Sequence, residues 1–334
     1  MLLGPLVPYY KRLMTRFQPA KDISYPNSSD LVGPTNNRLQ NVRKRLPHLF
    51  AELPRVLPFP LLSGDLFAAT ATHVFHPGIP HLMLVQPNLS QNRVIFTEPR
   101  YLRNRPAFEF FCEVLSQDPS PENATIIVHN GDLSLPPEVL DLMSVTFRSI
   151  YAVNLPTTWA QRKNVHPLPI GLENYPWRGE TYYRFFQALL QHPNLIPPSP
   201  ERAKLFHSSF SIRTNPVERG SLMEVLTQHR ISNERSSWRK FSEALVAHKF
   251  MFSPAGNGLD CHRTWEAIYA GCVPILKRGT LVSSLSESLP IWEVDDWDEP
   301  FSLTLVELQE KAESLLARRS ELVAAPFWIQ RIWS

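Results

Sequence analysis

The chain has 334 residues, 43% of them hydrophobic and 19% charged, with a formal net charge of +3. That length supports two domains of ordinary size, and that composition excludes a disordered or fibrous chain. The charge is too small to argue for nucleic acid, and three cysteines without a C-x-x-C spacing give no support to a disulfide framework or a zinc site.

The opening MLLGPLVPYYKR has no basic residue before its apolar run and is interrupted by Pro5 and Pro8, so it does not read as a signal peptide. No apolar window reaches the length that spans a bilayer, and a soluble, cytoplasmic protein is expected. Three N-x-[ST] triplets, at Asn27, Asn88 and Asn123, would permit glycosylation in a secretory lumen but arise easily by chance. Residues 1 to 60 carry nine Lys or Arg against three acids, including Arg43-Lys44-Arg45, whereas Glu293 to Glu313 carries eight acids against Lys311. Two solvated faces explain this, with a basic surface toward an anionic ligand as the competing reading.

Proline, at 32 residues, clusters at Pro47, Pro54, Pro58 and Pro60 and again at Pro193, Pro197, Pro198 and Pro200. Proline neither continues a helix nor donates to a central strand, so both clusters mark connections, and the second marks a domain edge. Between them, residues 81–87, 93–99, 124–132, 149–156 and 165–173 each hold a short run of branched or aromatic residues ended by Pro, Asn or Gly, the pattern of buried strands. A helical pattern fits 107–115. Further on, strands are predicted at 204–212, 249–253, 272–276 and 291–294, with helices at 217–228, 238–248, 260–270 and 303–318. This alternation implies parallel pairing and an α/β fold.

In such a sheet, ligands sit beyond the carboxyl ends of the strands. The loop from Ser253 to Asp260 leaves a strand and enters a helix, and its Gly256 and Gly258 allow a positive φ or a close backbone approach of the kind a phosphate turn needs. Asp260 is placed as the helix N-cap. Arg263 and Glu266 fall three apart on one face of that helix. They are either a surface pair worth about 0.2–0.5 kcal/mol or a diphosphate-binding cation beside a carboxylate that takes two ribose hydroxyls.

Pro254-Ala255-Gly256, Arg263, Glu266-Ala267 and Gly271-Cys272-Val273-Pro274-Ile275 together resemble the C-terminal signature of exostosin-like glycosyltransferases. The longer form with Asn257-Gly258, Asp260 and His262-Arg263-Thr264-Trp265-Glu266 is similar to soluble relatives in microbes and large DNA viruses. Blocks at 128–132, 168–174 and 209–219 extend the resemblance over roughly 126–308. It implies a GT-B fold, with two Rossmann-like domains facing a cleft. The domains would be an acceptor side over 1–175 and a nucleotide-sugar domain over 176–320, with residues 321–334 packing back on the first.

The activity implied is an inverting transfer from a nucleoside diphosphate sugar, UDP before GDP, to a hydroxyl of a glycan or glycoprotein. No metal or cofactor is required in this reading, because arginines and helix N-termini stabilise the departing diphosphate. The donor set implied is Arg213, Arg219, Ser253, Gly256, Asn257, Gly258, Asp260, Arg263, Thr264 and Glu266. Inversion needs a base from the first domain. Asp132, with His129 beside it, is the first choice, and Asp65, Glu98 and Glu173 are rivals. Membrane-bound members carry an N-terminal anchor and stem that this sequence does not display, so a cytoplasmic acceptor is expected.

Competing patterns are weaker. Asp296-Trp297-Asp298 has the D-x-D form of a metal-bound donor site but falls after a late short strand and reads as a solvated loop. Gly256-Asn257-Gly258 invites an NAD(P)-dependent oxidoreductase, yet Cys261 replaces the third glycine and Lys277-Arg278 stand where an acid is needed. Cys261 and His262 are adjacent and face different sides of a helix, so they form no nucleophile and base pair. His73, His76 and His81 lack a partner at metal-ligand spacing. A non-catalytic sugar- or nucleotide-binding protein on the same scaffold is the non-enzyme alternative.

Overall fold

The structure is a computed structural model that describes residues 60–77, 82–84, 93–116, 120–159, 161–318 and 320–334. The opening apolar run, Arg43-Lys44-Arg45, the triplets at Asn27 and Asn88, the prolines before Pro60, His81 and most of the 81–87 run lie outside the described residues. Chain order is α1 (Gly64–Thr70), β1 (His73–Val74), β2 (Met83–Leu84), β3 (Val94–Thr97), α2 (Pro99–Arg103), α3 (Arg105–Ser116), β4 (Thr125–Val128), α4 (Pro137–Thr146), β5 (Ser149–Ala152) and β6 (Val165–Pro167). There follow α5 (Tyr175–Gln191), β7 (Lys204–Ser208), α6 (Pro216–Gln228), α7 (Trp238–Ala247), β8 (His248–Phe252), α8 (His262–Tyr269), β9 (Val273–Lys277), α9 (Ser283–Ser286), β10 (Trp292–Val294), α10 (Leu305–Leu316) and α11 (Ala325–Trp333).

These elements make an α/β protein with two sheets. The first runs β2-β1-β3-β4-β5-β6, parallel except for β2, which is antiparallel to β1; the second runs β10-β9-β8-β7 and is parallel throughout. The apolar runs pack on both faces, as parallel strands between helices must. Ile127, Tyr151 and Met251 point into one cluster shared by the two halves, while Ile126 and Ile150 enter a cluster of the first half and Phe250, Phe252 and Ile275 one of the second. Period-two alternation along each strand separates the faces.

The shared cluster is built by Tyr182, Tyr183 and Phe186 of α5, Trp265 and Tyr269 of α8, and Trp328 and Ile332 of α11. Fully burying one such aromatic or aliphatic side chain contributes roughly 1.5–3 kcal/mol. Polar links reinforce it. The Tyr269 hydroxyl accepts from Leu62 N–H and donates to Val323 O, at 2.9 and 2.8 Å. The last helix lies against the first sheet: Ala325 N–H donates to Pro60 O at 2.9 Å and the Tyr151 hydroxyl to Arg331 O at 2.8 Å.

Two local expectations shift. The run at 204–212 is strand only to Ser208, because a 3-10 turn at Ile212–Thr214 bends the chain into α6. The N-cap of α8 is Cys261, not Asp260, because the Asp260 carboxylate turns away from the helix end. Among the described residues neither parallel run reverses its strand order, so neither sheet has the crevice that a reversal opens. The open ground lies where the carboxyl ends of the two sheets face each other. Among the described residues, no helix is long and apolar enough to cross a membrane.

Candidate functional site

A cavity of about 470 Å³ occupies that ground. One wall comes from the first half, with Asp132 after β4, Ile170 and Glu173 after β6, and Arg178 on α5. The other comes from Ser209, Ser211 and Thr214 after β7, Arg219 on α6, Arg235 and Trp238 around the start of α7, and the turn at Gly256 and Gly258 leading to Arg263 and Glu266 on α8. The chain returns to the same edge after α6, so three helices begin at this wall. The first turns of α7 and α8 contribute Trp238, Phe241, His262 and Arg263 to the lining, whereas the first turn of α6 is capped by Asn215, whose Oδ1 accepts from Glu218 N–H.

Two guanidiniums crown that wall. Arg219 is 3% exposed and is spent on neutral oxygens: Nε donates to Ala255 O and Nη1 to Ser211 O, both at 2.7 Å, and Nη1 also reaches Thr214 Oγ1. Its pKa is pushed below the usual arginine value, chiefly by burial and further by the neighbouring charge of Arg263. Arg263 lines the cavity, and its Nη1 is shut off from solvent with no hydrogen-bond partner among the described residues. An orphaned donor of this kind costs about 1–3 kcal/mol, and an anion in the cavity would offset the neighbouring positive charges of Arg219 and Arg263. One turn further along α8, Glu266 is 4% exposed and its Oε1 accepts from the Tyr182 hydroxyl at 2.5 Å. Burial, then the Glu266 carboxylate, raise the Tyr182 pKa well above that of an ordinary tyrosine.

The remaining predicted donor residues divide. Ser253 and Thr264 are buried and hydrogen-bond each other at 2.8 Å beneath the cavity, outside its lining. Arg213 is exposed and lies outside the lining; Arg235, which the sequence reading did not single out, stands in it. Gly256 and Gly258 close a tight turn by Gly256 N–H to Gly258 O at 2.9 Å, and neither has a positive φ. A Cβ at Gly258 would lie 2.2 Å from Asp132 O and 2.6 Å from Asn154 Nδ2. The glycine is therefore required by the first half of the protein pressing on this turn.

Asp260 joins the halves. Its Oδ2 accepts from Ile170 N–H at 2.8 Å and its carboxylate from the Trp265 indole at 2.9 and 3.0 Å, while its own N–H donates to Asn154 Oδ1 at 2.7 Å. Burial raises its pKa to about 6, against the lowering effect of those donors. His262 Nδ1 bonds Gly171 O at 2.8 Å, and Gly171 itself, at φ 67, lies where a Cβ would meet Leu62 O at 2.4 Å. Cys261 Sγ faces Pro254 O at 3.6 Å, and burial first of all raises its thiol pKa, which does not suit a nucleophile.

Of the candidate bases, Asp132 and Glu173 reach the cavity. Asp132 is exposed, with Oδ2 accepting from Asn257 Nδ2 at 3.1 Å; Glu173 has Oε1 3.4 Å from His262 Nε2 and Oε2 3.9 Å from Arg178 Nη2. His129 does not reach it. It is 1% exposed, its Nδ1 accepts from Asn130 N–H at 2.7 Å, and its Nε2 therefore carries the proton given to Pro169 O at 2.9 Å. Burial holds its pKa at about 4, so it is a neutral strut for the loop that bears Asp132, not a proton acceptor. Asp65 and Glu98 lie outside the lining, Glu98 against Arg100 at 2.5 Å.

Asp296 and Asp298 are exposed on the turn after β10, also outside the lining, with Asp298 against His229 at 2.9 Å. His73 bonds Thr72 Oγ1 and His76 packs on the Tyr101 ring. No group of three or more metal-ligating side chains occurs among the described residues. Fold and cavity together make an α/β protein with a cavity between its two sheets, lined among others by Arg178, Arg219, Arg235 and Arg263. The sequence matches no protein-family model and no curated protein.

Proposed function

We propose that the protein is an inverting glycosyltransferase of GT-B type that takes a nucleoside diphosphate sugar and transfers the sugar to a hydroxyl of a glycan or glycoprotein. One observation carries the reading: Arg263, with a buried donor unsatisfied among the described residues, sits beside Arg219 where α8 begins, with the Glu266 carboxylate one turn away in the same cavity. Two cations without a carboxylate partner among the described residues suit a diphosphate, and charge-assisted bonds to its oxygens strengthen as the leaving group departs. Glu266 keeps Oε2 and the second lone pair of Oε1 for ribose hydroxyls.

In this reading Arg219 positions the loops at Ala255 and Ser211 and supplies charge, whereas Arg263 touches the diphosphate. Asp132, on the facing wall, takes the proton of the acceptor hydroxyl, and Glu173 is the rival base. No metal is invoked. The resemblance to exostosin-like enzymes supports the same assignment through Arg263 and Glu266 and leaves the sugar open.

Donor hydrolysis across UDP- and GDP-sugars, with binding of the free diphosphates measured by calorimetry, tests the proposal. Release of one nucleoside diphosphate from one donor is expected, and its loss in Arg263→Ala. Binding without turnover on any donor or acceptor would leave a nucleotide-binding protein, and binding of NAD alone would overturn the reading.

A further inference from the structure

The proposed site leaves one part of the donor without a receptor: the base. Along α8 the cavity has a direction, because Arg263 lies in the first helical turn and Glu266 one turn deeper. If the diphosphate meets the first and the ribose the second, the base lies beyond Glu266. The Tyr182 hydroxyl on Glu266 identifies that side, since the Tyr182 ring meets the Trp238 indole edge to face, with centroids 5.8 Å apart.

Trp238 is half-buried in the first turn of α7 and lines the cavity. Among the described residues three Phe or Trp side chains do so, and the other two cannot offer a face. Phe210 is 3% exposed and covered by the Arg219 guanidinium at 5.8 Å, and Phe241 is 9% exposed within the core. Tyr182 is fully buried and overlaid by Arg178 at 5.6 Å. A planar heterocycle entering past Glu266 meets the indole first.

We infer that Trp238 is the stacking surface for the nucleobase of the donor, so that the site reads a nucleoside diphosphate from Arg263 through Glu266 to Trp238. This rests on the proposed function. Stacking of a base on an aromatic ring tolerates any base because each has a π-face, so Trp238 supplies affinity for the nucleoside and the ring edge contacts choose among bases.

The test compares UDP, GDP and inorganic pyrophosphate by calorimetry on the wild type, Trp238→Leu and Trp238→Phe. The wild type is expected to bind one nucleoside diphosphate at least about 10-fold tighter than pyrophosphate. Trp238→Leu should erase most of that advantage with pyrophosphate affinity unchanged, and Trp238→Phe should keep it. A wild-type advantage that survives in Trp238→Leu, or an equal loss of nucleotide and pyrophosphate, overturns the inference and leaves the proposed function standing. A wild type that binds no nucleoside diphosphate overturns both.

Discussion

The two walls of the cavity differ in how far their polar groups are already committed. On the wall of the second half, Arg219 is saturated by backbone carbonyls and the Arg263 Nη1 has no partner among the described residues; on the wall of the first half, Asp132 and Glu173 each lean on a group from across the cavity, Asn257 and His262. The lesson is that unpaired charge marks where a ligand is held, while a loosely held acid marks where a proton can be moved. Under the proposed reading, binding belongs to the first of these walls and chemistry to the second.

That division can be broken one wall at a time. The largest effect should come from the acid: Asp132→Asn is expected to lower turnover by about 10²–10⁴-fold with donor binding intact. Near-normal turnover in Asp132→Asn together with loss in Glu173→Gln would move the base to Glu173. Next, Arg263→Ala should weaken nucleoside diphosphate binding about 100-fold, as removal of a charge-assisted bidentate contact does, and Arg263→Lys should restore part of it. Equal affinities by calorimetry would remove the anion site from this wall.

The joint between the walls should answer to smaller changes. Gly258→Ala puts a methyl group against Asp132 O and Asn154, and should cost about 1–3 kcal/mol in denaturant unfolding, as overpacking does. Unchanged stability would mean that the halves part freely.

Two buried groups of opposite sign sharpen the point. His129, held near 4, contributes stability above its unfolded pKa of 6.5 that is lost as pH falls toward 4; His76 and His207, also held near 4 mainly by burial, add to that loss. Asp260, raised to about 6, acts in reverse, contributing stability below 3.8 that is lost as pH rises through 6. Between pH 7 and 5.5 the His129 and Asp260 terms are each about 1 kcal/mol. Asp260→Asn should therefore steepen acid destabilisation by about that amount, measured as unfolding free energy at the two pH values. A parallel loss in wild type and variant would mean that Asp260 does not change its charge between these two pH values.

Much of the fold was legible in the sequence because buried parallel strands announce themselves. Residues 94–97, 125–128, 149–152 and 273–277 are apolar runs bounded by Pro, Asn or Gly, and each proved to be a strand. The elements that escaped lack a readable period. In α5, a Gly179 at φ 72 kinks the helix and breaks its period, and α11 is only nine residues long, too short for its one polar face at Gln330 and Arg331 to recur. Arg178, Arg235 and Trp238 were missed for a related reason: they enter the cavity from segments with no motif, and only the folded chain brings them there.

What the sequence alone determined is the α/β alternation and the strand-turn-helix segment bearing Arg263 and Glu266, since both follow from contacts within a few residues of one another. What only the tertiary structure decided is the use of each side chain. Gly258 is a glycine because Asp132 and Asn154 press on it, Asp260 joins the halves and does not cap its helix, and His129 is buried as a neutral strut. Those roles depend on partners 40 to 126 residues away (His129 to Pro169, Gly258 to Asp132), and no local pattern encodes a partner at that distance.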